Sequence, residues 1–430
     1  MKRSLGFWRS WALVVGLMIG NGIFMLPAVL APYGSLSLLG WIFAGGGTLL
    51  VALMLGSLAR RIPKLGGPYA YTRAALGDLP GFLVAWGYWI AVWSATAAGA
   101  IAFVGYLGVF VPSVATDPVL GAIAALVVIW LMTGINVAGV KTVGIVQLIT
   151  TLLKLLPLFL IAGTGLLLGD VSAVPAANPH DQSIPVLIAS LVILTMWAYA
   201  GVECATIPAD DVINPEKTIP RALVVGTLTV TGVYIIATYG VMALVPNAEL
   251  AVSTSPFADA ASVIFGPWGA GLVAIGAIVS ITGSLNANIL VGGMMSRAIA
   301  LDKLFPSRFA ALNSAGAPGF SLAISGLLSS ALIVMNYSKG LVAAFEMLIL
   351  LSTLTTLLPY AASAVAELVL QRRDAASGTW NWTAVIIAGG ALAFSVFAIV
   401  GSGLEVAALG LILLAAGLPI YFWVTRREQT

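Results

Sequence analysis

Charge is what this chain of 430 residues lacks most: only 8% of its positions are Asp, Glu, Lys or Arg. A water-soluble domain carries about 25%, so a folded surface facing water could not be covered with this supply. Cysteine and histidine are scarcer still. A lone Cys204 excludes an intramolecular disulfide, and a lone His180 leaves no Cys/His set for a metal. The basic residues form no long run, so the net charge of +3 is not a nucleic-acid footprint. H-E-x-x-H, G-x-S-x-G and phosphate-loop sequences are missing, which argues against the common hydrolase signatures and against ATP as a fuel bound by this chain. No cofactor, metal or nucleic-acid partner is expected.

What is present is apolar: hydrophobic residues fill 60% of positions, in runs of about 20 residues or longer, the length that crosses a bilayer as a helix. These runs lack the period-2 alternation of a membrane barrel. In lipid each backbone group must find its partner inside its own segment, which forces helices. The chain is therefore expected to be an all-α integral membrane protein with twelve spans, over 11–34, 38–59, 80–111, 118–139, 144–168, 185–209, 222–245, 265–296, 319–336, 340–368, 381–401 and 404–424. No connection between them is long enough to fold alone, so residues 1–430 read as a single membrane domain. The basic start, Met1–Arg9, leads into an apolar run longer than a signal peptide with no A-x-A site, and reads as a retained first helix.

Basic residues set the orientation. With the N-terminus in the cytoplasm, 17 of the 19 Lys and Arg fall on the cytoplasmic side; Lys339 lies outside and Lys154 inside a span. That asymmetry follows the positive-inside rule, and one span more or fewer would destroy it. Both termini are expected in the cytoplasm, in a plasma membrane of the bacterial inner-membrane type.

Two spans carry interruptions: Ile19-Gly20-Asn21-Gly22-Ile23 in the first and Tyr199-Ala200-Gly201-Val202-Glu203 in the sixth. Glycine costs about 1 kcal/mol against alanine in a helix interior, so clustered glycine at mid-depth invites unwinding. Close helix packing is the bland account of one such cluster. Two clusters at matching places in two five-helix blocks point instead to an inverted-repeat transporter with a mid-membrane site.

Few residues in the spans can carry chemistry. Glu203 is an intramembrane carboxylate beside the second glycine break, costly to keep there and expected as a proton-linked switch. Lys154 sits too deep to snorkel; it is either half of a structural ion pair, a titratable site, or a built-in positive charge in place of a metal ion. Tyr88, Trp89, Trp93 and Trp197 could wall a pocket, although membrane aromatics commonly serve as belt or packing residues. Glu346 fits a solvated outer vestibule, and Cys204 a small apolar filler.

Several stretches together resemble the amino acid–polyamine–organocation (APC) transporters, and within them the basic amino acid/polyamine antiporters. They are Gly20-Asn21-Gly22-Ile23-Phe24-Met25-Leu26-Pro27, Pro63–Tyr71, Trp197–Glu203, Asn214–Pro220 and Val245–Phe257, in that order along nearly the whole chain. The resemblance implies the leucine-transporter fold: a five-plus-five inverted repeat over 1–168 and 185–368, with two accessory helices over 381–424. It also implies that a substrate carboxylate meets free N–H groups near Asn21, Gly22 and Ile23, and its ammonium meets carbonyls freed at Trp197 and Ala200. Pocket and gate positions fall on Tyr88, Thr96, Trp197, Glu203, Asn288 and Ser352. Two departures matter: arginine/agmatine exchangers have a tryptophan where Asn288 stands, and lack a lysine at the place of Lys154. The lysine is similar instead to sodium-independent members, in which it fills the space of a sodium site. The expected function is sodium-independent secondary transport of an amino acid by alternating access, with protons as a candidate coupling ion and homodimerisation left open. An arginine/agmatine or polyamine exchanger is the alternative, and a channel or membrane-embedded enzyme the remote one.

Overall fold

The computed structural model describes residues 6–20, 22–62, 67–139, 158–170, 172, 174–203, 213–375 and 379–428. Among them nearly everything regular is helix, and the one β pairing is an isolated bridge between Gly34 and Ala176. The first apolar run forms α1 (Phe7–Met18) and α2 (Gly22–Leu30), followed by α3 (Ser37–Arg61), a short α4 (Pro68–Leu76) and α5 (Asp78–Leu107). Next come α6 (Pro118–Val137), α7 (Leu158–Leu168), α8 (Ile184–Met196) and α9 (Pro215–Leu244). The chain continues through α10 (Pro256–Leu301), α11 (Gly319–Asn336), α12 (Leu341–Ala375), α13 (Trp382–Val400), α14 (Gly403–Ala415) and α15 (Gly417–Glu428).

Nine helices among the described residues are long and apolar enough to cross a membrane, and three shorter apolar helices accompany them: Gly22–Tyr33, Leu158–Leu168 and Ile184–Tyr199. The protein is thus a multi-pass membrane protein. Those three helices coincide with the first, fifth and sixth of the twelve expected spans. The first and sixth are shortened by breaks, and residues 144–157 of the fifth lie outside the described residues, Lys154 among them. Three expected connections hold short α-helices of their own: α4 between the second and third spans, Pro112–Thr116 between the third and fourth, and Asn247–Leu250 in the loop before α10. α10 itself bends at Gly266, whose φ of 67° no helical residue adopts.

Small residues let these helices approach. A Cβ on Gly240 of α9 would stand 2.9 Å from the Ile161 carbonyl oxygen of α7, so only glycine permits that contact. Around the middle of the bundle, α10 and α12 both pack on α5, α1 packs on α9, and α3 packs on both α8 and α9. Fully buried rings lock the last group: Tyr234 of α9 lies 4.8 Å from Trp41 of α3 and 5.5 Å from Tyr199, centroid to centroid. Many outward side chains are large and apolar, such as Trp268, Ile386 and Leu404; in a bilayer these meet acyl chains rather than water.

At the basic end of the bundle, ion pairs tie helix termini together. Glu367 of α12, fully buried, accepts from Arg61 of α3 at 3.3 Å and from Gln371 at 2.8 Å, and Arg61 also pairs with Asp374. Arg73 of α4 pairs with Asp78 at 2.6 Å and with Asp302, just past α10, at 2.8 Å.

Candidate functional site

Both expected interruptions are breaks in the helical backbone. α1 ends at Met18; Ile19 has ψ of 87°, and helix resumes only at Gly22. The first N–H groups of α2 have no partner within their helix, and its dipole makes that end partially positive. The second break follows a single 3-10 turn, Trp197–Tyr199: Ala200 is extended, with ψ of 136°, and Gly201 has φ of 107°. A side chain disfavours that φ, so glycine is required there. Backbone groups freed at mid-helix need other partners. One phenol serves both breaks: the Tyr234 hydroxyl lies 2.7 Å from the Met18 carbonyl oxygen and 2.9 Å from that of Ala198, donating its proton between them.

The breaks face a cavity of about 120 Å³. Gly20 and Gly22 line it from the first break, and Trp197, Ala200, Gly201 and Glu203 from the second. α5 contributes Tyr88, Ala91, Val92 and Ala95; α10 contributes Ser284, Ala287, Asn288 and Val291; α12 contributes Ser352 and Thr356. Hydrogen bonds tie three of these walls together. The Trp197 indole N–H donates to Ser352 Oγ at 3.2 Å, and Ser352 donates to the Ala91 carbonyl at 2.9 Å. Close packing holds the first break against the second, since a Cβ on Gly22 would stand 3.2 Å from both the Trp197 ring and the Ala198 backbone.

Glu203 is buried, with donors on both oxygens. Tyr88 donates to Oε1 at 2.7 Å; Tyr360 of α12 donates to Oε2 at 2.5 Å, and the Gly201 N–H donates to the same oxygen at 3.1 Å. The carboxyl group is thereby a junction between α5, α12 and the segment beyond the second break. A proton gained or lost there would alter three contacts at once.

The structure thus brings Gly22, Tyr88, Trp197, Ala200, Glu203, Asn288 and Ser352 to one cavity. Ile23 is fully buried just behind Gly22, and Thr96 bonds the Val92 carbonyl of its own helix at 2.9 Å; neither lines the cavity. Trp89 and Trp93 do not line it either: Trp89 donates to Ser325 of α11 at 2.8 Å, and the Trp93 carbonyl accepts from Ser329. Glu346 sits elsewhere, close enough to Tyr33 and His180 to interact electrostatically with both. Asn21, Lys154 and Cys204 lie outside the described residues. Tyr234 and Tyr360 were not anticipated from the sequence; the available signal was a phenol deep in an apolar run, which needs a buried partner.

Known proteins resemble this chain in sequence and in fold. The family described as amino acid permease matches residues 5–410. A cadaverine/lysine antiporter of Escherichia coli (strain K12) is 32% identical over 84% of this chain and 83% of its own length. An arginine/ornithine antiporter of Pseudomonas aeruginosa is 29% identical over 95% of this chain and 88% of its own. Among solved structures, the substrate-bound outward-open state of a Na+-coupled sialic acid symporter matches with a TM-score of 0.57 over 93% of this chain and 89% of its own, at 16% identity. At that identity the likeness concerns the fold alone.

Proposed function

The chain belongs to the amino acid permease family, and from that premise we propose that it exchanges amino acids across a bacterial-type plasma membrane by alternating access, without sodium and with protons linked to the cycle. The observation that carries this reading is the pair of broken helices held by Tyr234 on one cavity. A zwitterion needs an anion site and a cation site a few ångströms apart. The positive end of α2 at Gly22 suits the α-carboxylate, and backbone carbonyls around Trp197 and Ala200 suit the α-ammonium. Asn21 and Ile23 belong to the first of these sites, and Thr96 supports the α5 wall one turn from Val92.

Glu203 is the proton-responsive element, since its protonation state bears on Tyr88, Tyr360 and Gly201 together. Lys154 supplies a fixed positive charge in place of a sodium ion. The helices form two inverted halves, 1–168 and 185–368, with 381–424 as accessories, in twelve crossings with both termini cytoplasmic. The chain is a carrier and performs no covalent chemistry; its relatives named above are antiporters. Those relatives' names favour a second reading for the cargo, in which cationic amino acids and diamines are exchanged.

Reconstitution in liposomes tests the proposal. Uptake of labelled amino acid should require amino acid or amine on the opposite side, persist without sodium and respond to a pH gradient. Strict sodium dependence would refute the role given to Lys154, and no exchange of any amino acid or amine would refute the whole reading.

A further inference from the structure

α10 carries several polar side chains in an apolar helix, and most of them have partners. Thr282 bonds the Ile278 carbonyl at 2.7 Å, Ser296 bonds that of Gly292 at 2.9 Å, and Asn286 Oδ1 accepts from Asn136 at 2.8 Å. Ser280 is buried without a partner and away from the cavity lining, whereas Ser284 and Asn288 face the cavity. They stand one turn apart on one face, both line the cavity, and neither has a hydrogen-bond partner among the described residues. Both are only half-buried, their polar atoms open to the cavity, so the pair is poised for something that enters it.

The rest of that wall fixes the chemistry of the guest. α5, packed against α10, lines the same cavity with Ala91, Val92 and Ala95. Glu203 is the one charged side chain lining the cavity among the described residues, and tyrosine hydroxyls already occupy both its oxygens. The Trp197 ring offers little free face: Phe345 meets it edge-on at 5.3 Å and Gly22 lies against it. A second cation placed here would lose its hydration without a carboxylate or an open aromatic face in return. Size points the same way. A cavity of about 150 Å³ admits a benzene-sized molecule, so about 120 Å³ suits a small or medium-sized amino acid and leaves little room for the longer chain of arginine.

Resting on the exchanger reading, the geometry points to a narrower cargo: neutral amino acids whose side chains bear a hydroxyl or a carboxamide, read by Ser284 and Asn288. The Asn288 amide both donates and accepts, and the Ser284 hydroxyl does the same. Together they match the side chains of serine, threonine, asparagine and glutamine and discriminate against alkyl groups, which would leave both unpaired.

Competition against labelled serine in proteoliposomes tests this, with serine, threonine, asparagine, glutamine, alanine, leucine, ornithine, arginine, putrescine and cadaverine as competitors. The four polar neutral amino acids should compete best. Ser284→Ala and Asn288→Ala should each lower the serine-over-alanine preference about tenfold, the loss of roughly one net hydrogen bond. Asn288→Asp, which places a carboxylate in the wall, should gain competition by ornithine. Stronger competition by ornithine, arginine or the diamines in the unmodified protein overturns this assignment while leaving the exchanger intact. An unchanged serine-over-alanine preference in both alanine variants overturns it as well. No exchange of any compound would overturn both readings.

Discussion

The Tyr360 hydroxyl lies 2.5 Å from Glu203 Oε2, joining residues 157 positions apart in the chain. With Tyr88 on the other oxygen, the carboxyl group couples α12 to α5 through the end of the second break. A hydrogen bond to a charged group is worth about 1.5–3 kcal/mol. Tyr360→Phe should therefore slow exchange by about tenfold or more, read as the initial rate of counterflow at matched protein content. An unchanged rate would show that this contact is idle during transport.

Glutamine at position 203 keeps the size and an acceptor but has no proton to exchange. Glu203→Gln should flatten the dependence of exchange on pH while leaving the protein folded, as judged by its elution from a sizing column. A variant whose pH profile overlays that of the unmodified protein would remove Glu203 from proton linkage.

Two glycines make a matched pair for the first break. A Cβ on Gly22 would crowd Trp197 and Ala198 at 3.2 Å, whereas one on Gly46 of α3 meets nothing within 4 Å. Gly22→Ala should weaken substrate binding severalfold, because backbone on one side of the cavity must shift to admit the methyl group. Gly46→Ala should leave binding unchanged. Substrate-dependent thermal stabilisation reads both.

At the basic end, Glu367 is fully buried and Arg61 is its cationic partner. Removing one member of such a pair costs about 3–5 kcal/mol, because the other charge is stranded. Arg61→Ala should lower the melting temperature in detergent by several degrees. The double variant Arg61→Ala/Glu367→Gln should recover most of that loss, a result that a simple packing defect at Arg61 would not give.

Burial, and then its bond to Asp302, holds the Tyr69 hydroxyl well above its ordinary value of 10.0. The folded protein keeps this proton where the unfolded chain has lost it, so folding binds a proton and stability falls as pH rises past about 10. Between about pH 9 and pH 11, a range centred on the ordinary tyrosine value, the unmodified protein should lose more thermal stability than Tyr69→Phe. Parallel curves would exclude this contribution.

Much of the fold was legible because lipid simplifies the code. Apolar length marks a crossing, and glycine clustered mid-run marks a break, so Gly22 and Gly201 stood out locally. Glu203 stood out because a carboxylate among apolar residues has no cheap explanation. What joins these residues was not legible. Tyr234 and Tyr360 sit in runs with ordinary spacing, and their partners lie far along the chain, so no local pattern announces them. Thr96, Trp89 and Trp93 illustrate the opposite limit: position on α5 was clear, but which way each side chain turned depended on α11 and on the helix's own carbonyls. The first and sixth spans also proved shorter than their apolar runs, since hydropathy registers composition and not whether the backbone stays helical.

The phenol of Tyr234 acts as a rivet through both breaks. An α-amino acid carries its two backbone charges one carbon apart, and a rivet that fixes the gap between two anchorages turns that distance into a gauge. A β-amino acid, one methylene longer, would overrun the gauge whatever side chain it bore. On the proposed assignment of the two breaks, backbone length is constrained independently of the side chain, and a lost hydroxyl at position 234 should loosen that constraint without touching the cargo.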